Sequence, residues 1–152
     1  GHAVGDSILI TIAGRLSQCV RASDTVARLG GDEFVVVLCD DQSCATAART
    51  ADKIRQQLSL PYPIDTHLVN TTPSIGISLF SRDGTDLATL LKHADEAMYH
   101  AKSSGGGRYM FYADPLPPEH AAKPRKRIAT SPSVNDNPNQ QMHINAETKE
   151  IG

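Results

Sequence analysis

The stretch with the most chemistry in it is Gly30-Gly31-Asp32-Glu33-Phe34. Two acids directly after a glycine pair, at the mouth of an apolar strand, are costly unless a cation meets them. Gly30-Gly31 is a tight-turn signal, since both residues accept positive φ, and their missing side chains let a ligand approach the backbone closely. Such a hairpin fixes Asp32 in space and suits a magnesium nucleotide, because magnesium prefers one or two carboxylates plus phosphate oxygens and water over an all-protein cage. The alternative is a solvent-exposed hairpin tip, where the same residues are commonplace. The residues alone leave both readings open.

Other groups carry weaker signals. Asp6 lies near the start of the first helix, where a carboxylate suits the positive end of the dipole. Arg21-Ala22-Ser23-Asp24 offers a guanidinium fork and a carboxylate, although Arg21 could equally satisfy helix-end carbonyls and Asp24 cap a turn. Arg49 or Lys53 on the following helix could supply a second basic contact. Lys102 falls in the last turn of a helix, a favourable place for any cation. His93 and His100 lie seven apart on one helical face, with no third ligand at suitable spacing, and read as surface or half-buried residues.

The chain that positions these groups has 152 residues, 39% hydrophobic and 21% charged, with a formal net charge of −2. That fits one soluble globular domain. No run approaches the roughly 18 to 20 apolar residues of a membrane span, and no basic stretch leads into an apolar one at the start. The charge balance argues against nucleic acid or anionic lipid as partner, so a phosphate ligand must be small and held by a few local groups. Cys19, Cys39 and Cys44 are odd in number and lack metal-ligand spacing, which reads as reduced thiols of a cytoplasmic protein rather than a zinc site. All seven aromatic residues lie at or before Tyr112, whereas six of the nine prolines follow it. Residues 113–152 therefore read as a disordered polar tail that cannot bury enough apolar surface to offset its ordering entropy; its basic run, Lys123 to Arg127, reads as solvated.

Apolar periodicity over residues 4–20 predicts a helix, and it begins so near Gly1 that the chain is expected to start inside a domain. Strands are predicted over 25–29 and 34–38, the second continuous in apolar residues and so covered on both faces. A helix follows to Leu58, with Ser43 as N-cap. Strands are then predicted over 64–69 and 74–80, a helix from the Asp86 cap to Ser103, and a last strand over 108–112. One sheet with helices packed over it makes an α/β or α+β sandwich.

Residues 30–34 spell GGDEF, and with Arg28-Leu29 before them the chain resembles the GGDEF family of diguanylate cyclases. Gly1-His2-Ala3-Val4-Gly5-Asp6 is similar to the family's G-H-x-x-G-D segment, Ser74-Ile75-Gly76-Ile77-Ser78 to its S-I-G-[IV]-[AS] strand, and residues 94–102 to its A-D-x-A-[ML]-Y-x-A-K helix. Four motifs in order cover residues 1–112. The resemblance implies a palm-like nucleotide-cyclase fold, a mainly antiparallel sheet flanked by helices, and a dimer of two GGDEF domains that joins two GTP into cyclic di-GMP and two pyrophosphates. It implies Mg2+ or Mn2+ held by Asp32, with Glu33 as acidic partner, general base or guanine contact. Asp6 would accept hydrogen bonds from guanine, Lys102 would meet the terminal phosphates, and Arg28 would reach phosphate or the neighbouring protomer. The backbone at Gly30 and Gly31 would lie along the nucleotide. Arg21 and Asp24 match an inhibitory site for cyclic di-GMP.

Two departures accompany the match. The family's K-x-x-G-R-N helix end is here Lys102-Ser103-Ser104-Gly105-Gly106-Gly107-Arg108, so the arginine comes two positions late. A complete domain would also begin earlier, with a central strand carrying another metal-binding aspartate, plus a phosphate lysine and a guanine-binding asparagine. The expectation is that this piece alone is inactive and exposes an unpaired strand edge, and that a sensory or receiver domain, whose parent could be membrane-anchored, precedes it.

Overall fold

The computed structural model describes residues 2–39, 44–64, 67–113 and 140–149. Its elements are helix α1 (His2–Cys19), strands β1 (Thr25–Gly30) and β2 (Glu33–Leu38), helix α2 (Cys44–Leu58), strands β3 (Tyr62–Ile64) and β4 (His67–Ser78), helix α3 (Leu87–Ser103), and strands β5 (Arg108–Phe111) and β6 (Gln140–Lys149). The sheet runs β1-β2-β6-β4-β3, with β5 also paired to β4. All pairings are antiparallel except β4 with β5. No described helix is long and apolar enough to cross a membrane.

The α+β sandwich follows from side-chain parity along the strands. Phe34, Val36 and Leu38 of β2, Met142 and Ile144 of β6, and Ile75 and Ile77 of β4 join one core with α1 and α2. Helix α1 contributes Ile8, Ile12 and Leu16, and α2 contributes Ala47, Ala51, Ile54 and Leu58. Arg15 ties the two helices at one end: its guanidinium donates to the Gln57 carbonyl of α2 and to the carbonyls of Leu60 and Pro61 beyond it, and lies 4.0 Å from the centre of the Tyr62 ring. The opposite parity faces α3, whose Leu90, Ala94, Ala97, Met98 and Ala101 are buried.

Strand β4 meets α3 through its smallest residues. The alternation in Ser74-Ile75-Gly76-Ile77-Ser78 is set by this contact: the isoleucines fill the core, and the small residues make a trough for the helix. A Cβ at Gly76 would stand 1.9 Å from the Ala94 carbonyl oxygen and 2.3 Å from the Met98 nitrogen. Ser78 donates to the Leu90 carbonyl at 2.8 Å. The N-terminus of α3 is capped as expected, Asp86 accepting from the Thr89 amide at 2.9 Å.

Several expectations change. The strand expected over 74–80 is the second half of β4, which begins at His67. Ser43 lies outside the described residues. Above all, residues 140–149 of the segment read as tail form β6, which pairs with β2 on one side and β4 on the other. The strand edge expected to be open is thus covered by the C-terminal strand. Composition missed it because Met142 and Ile144 are apolar islands in a polar stretch, whereas one buried pair is enough to seat a strand whose backbone is bonded on both sides.

Gly76→Ala is expected to destabilise the fold by about 3 kcal/mol or more, because the clash is with helix backbone rather than a movable side chain. Urea unfolding of the variant beside the parent chain measures it.

Candidate functional site

The signature forms the β1–β2 hairpin. Its turn is Gly31-Asp32 rather than Gly30-Gly31: Gly30 pairs with Glu33, and Gly31 has φ +53° while Gly30 is not in the left-handed region. The register shifts between Arg28 and Gly30, a bulge at Leu29, which is exposed. Bulges beside turns re-aim side chains and sharpen twist. Arg28 donates from Nε to the Gly31 carbonyl at 2.9 Å, clamping the tip. A Cβ at Gly30 or Gly31 would meet nothing within 4 Å, so the backbone here is open to a ligand. Asp32 and Glu33 are half-buried.

The register then aligns a row across the sheet. Glu33 of β2 sits beside Asn145 of β6, Asn145 beside Ser74 of β4, and Ser74 beside Arg108 of β5. With strands about 4.8 Å apart, Glu33 and Arg108 stand three strand spacings, roughly 14 Å, from each other. Strand parity puts Glu33, Ser74 and Arg108 on the face that carries α3. The Ser74 hydroxyl is buried without a hydrogen-bond partner.

Helix α3 delivers the basic end of this row. Its last turn carries His100 and Lys102, and Lys102 is half-buried. The helix stops through bonds from Gly105 N to Lys102 O and from Gly106 N to Ala101 O. Gly105, Gly106 and Gly107 all have positive φ, between +63° and +103°, so the run is a left-handed turn that only glycines take up cheaply. It places Arg108 at the first position of β5, exposed, with its Nε donating to the Gly106 carbonyl at 3.3 Å. Gly106 and Gly107 therefore set Arg108 at the start of β5 rather than at the end of α3.

The remaining sequence candidates fall elsewhere. Asp6 is exposed on α1. Arg21 is exposed, and Asp24 closes its own turn: one carboxylate oxygen accepts from the Arg21 amide at 2.8 Å, the other from the Cys39 amide at 3.1 Å. That carboxylate joins the start of β1 to the end of β2. Lys53 donates to the Gln18 and Cys19 carbonyls at the end of α1, and Arg49 to the Thr46 hydroxyl. Burial pushes the Cys19 thiol up from its ordinary range, against the pull of Lys53. His93 is half-buried and stacks on Tyr112, ring centres 3.8 Å apart, while His100 is buried with Nδ1 unpartnered. Among the described residues no three His, Cys, Asp or Glu side chains gather as a metal cluster.

One residue was not legible beforehand. His143 of β6 is 5% exposed, neither ring nitrogen has a hydrogen-bond partner, and Nδ1 lies 3.7 Å from an Asp95 oxygen. It shares the α3 face with Val35 and Gly76, its neighbours in register. The signal for it was the pair Met142 and Ile144 around it.

Comparison with known proteins agrees with this architecture. The family model described as "Diguanylate cyclase, GGDEF domain" matches residues 1–108. The chain is 46% identical over 112 residues to the bifunctional diguanylate cyclase/cyclic di-GMP phosphodiesterase MucR of Pseudomonas aeruginosa, covering 74% of this chain and 16% of that protein. It is 43% identical over 108 residues to the response regulator PleD of Caulobacter vibrioides, covering 69% of this chain and 24% of that one. The chain thus spans a quarter or less of these relatives. Among solved structures, the GGDEF domain of TpbB from Pseudomonas aeruginosa superimposes with a TM-score of 0.71 at 43% identity, covering 74% of this chain and 66% of that one. The active GGEEF domain of a diguanylate cyclase from Vibrio cholerae gives 0.63 at 27% identity, covering 76% and 72%. The chain belongs to the GGDEF family of diguanylate cyclases.

Burial holds the His143 imidazole below its ordinary value of 6.5, only partly opposed by Asp95 and Glu33. The unfolded chain then binds the proton more readily than the folded one, so stability is full above the ordinary value and is lost as pH falls below it. Between about pH 7.5 and about pH 5.5 the amides of β6 are expected to lose hydrogen-exchange protection, and His143→Leu is expected to flatten that dependence.

Proposed function

We propose that this chain carries catalytic groups of a diguanylate cyclase acting on GTP. Each 3′-hydroxyl attacks the α-phosphorus of the other nucleotide, the bond to the β-phosphate oxygen breaks, and cyclic di-GMP and two pyrophosphates result. Two domains, each with one GTP, must face one another, so the working unit is a dimer. GTP as substrate supports a cytoplasmic location for the domain, and the length of the relatives supports a sensory or receiver domain elsewhere in the parent protein. The observation that carries this reading is the row at one end of the sheet: the Asp32-Glu33 tip on one side, and Lys102 with Arg108 on the other.

Asp32 and Glu33 fit a hard divalent cation such as Mg2+ or Mn2+. They are carboxylates beside open backbone, and no third His, Cys, Asp or Glu side chain joins them among the described residues, which leaves room for phosphate oxygens and water. Asp32 is the residue that would hold the ion, whose chemistry is neutralisation of the charge that develops on the phosphates. Glu33 accepts the hydroxyl proton or meets the guanine edge. The open backbone at Gly30 and Gly31 admits the nucleotide. Asp6 accepts from guanine N1–H and N2–H, which a carboxylate can do side by side. Lys102 and Arg108 neutralise the terminal phosphates. Arg28 uses one N–H to hold the turn and has others to offer a phosphate. Arg21 and Asp24 form a product site, in which Arg21 grips cyclic di-GMP and the Asp24 turn fixes where Arg21 stands.

A second reading, a module that binds GTP or cyclic di-GMP without turnover, draws support from β6. The strand beside Glu33 buries Met142, His143 and Ile144, none of them a carboxylate.

Incubation of the upstream-extended protein with GTP and Mg2+, followed by nucleotide separation, distinguishes the two, while the 152-residue piece alone is expected to make no product. The enzyme reading expects cyclic di-GMP, reduced at least about a hundredfold in Asp32→Ala; nucleotide binding with no product supports the second reading, and absence of both product and binding would refute both. Arg21→Ala is expected to raise the cyclic di-GMP concentration that halves the rate by about tenfold, as one lost charged contact would.

A further inference from the structure

We propose that Ser74 is a positioning residue for Arg108: when phosphate oxygens reach the basic end of α3, Arg108 leaves the Gly106 carbonyl to meet them, and the Ser74 hydroxyl takes that carbonyl over. The exchange rests on Lys102 and Arg108 meeting the terminal phosphates, as proposed above. Ser74 is 1% exposed, yet its hydroxyl has no hydrogen-bond partner, an arrangement that folded chains rarely leave unanswered. Directly over it lies the glycine turn that ends α3. A Cβ at Gly106 would stand 3.5 Å from the Ser74 hydroxyl oxygen and 3.4 Å from Thr72 Cγ2, and one at Gly107 would stand 3.3 Å from the same methyl. The hydroxyl therefore lies against the main chain of Gly106.

At rest another donor holds that carbonyl. Arg108 Nε donates to Gly106 O at 3.3 Å, longer than most N–H···O bonds, and Arg108 is exposed, so water competes for it and little is lost when it lets go. The turn stays anchored meanwhile through its amides, Gly105 N on Lys102 O and Gly106 N on Ala101 O. Its carbonyl side is short of bonds, since the Ser104 hydroxyl in the same turn is also buried without a partner. Gly105, Gly106 and Gly107 all have positive φ, and glycines readjust their dihedrals at small steric cost. Ser74 and Arg108 are register neighbours on adjacent strands, so the two donors flank one carbonyl. A guanidinium offers its planar fork to phosphate oxygens most fully when none of its N–H groups is held elsewhere. After the exchange every group is paired: the phosphate has the fork, Gly106 keeps a donor, and Ser74 gains an acceptor.

The probe is inorganic pyrophosphate, titrated without nucleotide or metal into the full 152-residue chain and followed by NMR of the backbone amides and the arginine Nε–H groups. Urea unfolding reports stability without the anion. Ser74→Ala is expected to leave that stability unchanged or raise it, because it deletes a hydroxyl with no partner, and to weaken pyrophosphate binding about fivefold, as one lost neutral hydrogen bond would. Arg108→Ala is expected to weaken binding about tenfold, with no further loss when Ser74→Ala is added, because Ser74 acts through Arg108. In the parent chain pyrophosphate should shift the Arg108 Nε–H signal and the Gly106 and Gly107 amides together. Additive losses, or parent affinity in Ser74→Ala beside a weakened Arg108→Ala, would overturn the exchange while leaving the phosphate role of Arg108 standing. A Ser74→Ala chain destabilised without the anion would also overturn it, since the hydroxyl would then already be partnered at rest. No saturable binding by the parent, or binding untouched by both Lys102→Ala and Arg108→Ala, would sink the exchange and the phosphate role together.

Discussion

Backbone groups along the facing edges of β2 and β4 have to be paired inside a sheet covered on both sides, and that requirement governs this molecule more than any single side chain. A buried N–H or C=O without a partner costs on the order of a kilocalorie or more, and the edges present many. Once a strand lies between them, Glu33, Ser74 and Arg108 fall into one row and the hairpin tip and the end of α3 share one end of the sheet. Without it, the two halves of the row would have no fixed register. The catalytic reading rests on this bridging strand.

The hairpin shows how local order supports the site. Arg28 holds the Gly31 carbonyl, Leu29 is bulged outward, and the positive φ at Gly31 tightens the turn. These are short-range devices within a few residues, so the tip is set before any nucleotide arrives and the acids need little rearrangement to meet a cation. The other end of the row uses a different device, a run of three left-handed glycines that turns the chain from α3 straight into β5 and brings Arg108 with it.

Much of this was legible in the residues. Helices α1, α2 and α3 announced themselves by apolar spacing, β2 by its unbroken apolar run, and the family by four motifs in order. The hairpin was legible as a hairpin, but its turn was misplaced by one residue, because composition shows that glycines are present and not which of them takes the left-handed conformation. The alternation of Ser74 to Ser78 was read as a strand, yet its cause, a helix pressed against Gly76, is a tertiary contact that no local pattern contains. Strand β6 was missed because its identity comes from the slot it enters. Gln140 to Lys149 has little intrinsic drive toward the sheet, and what makes it a strand is two waiting edges.

The contact of Gly76 with α3 has a mechanical consequence. Most helices rest on a sheet through side chains that can change rotamer, so a helix can creep along its bed by small steps. Here main chain touches main chain at Ala94 and Met98, with nothing soft between them. The helix lies close on its strand at this point, and any side chain at position 76 would lift it away and take Lys102, at its far end, with it. The bare backbone of Gly76 thus sets how near the basic end of α3 stands to the sheet.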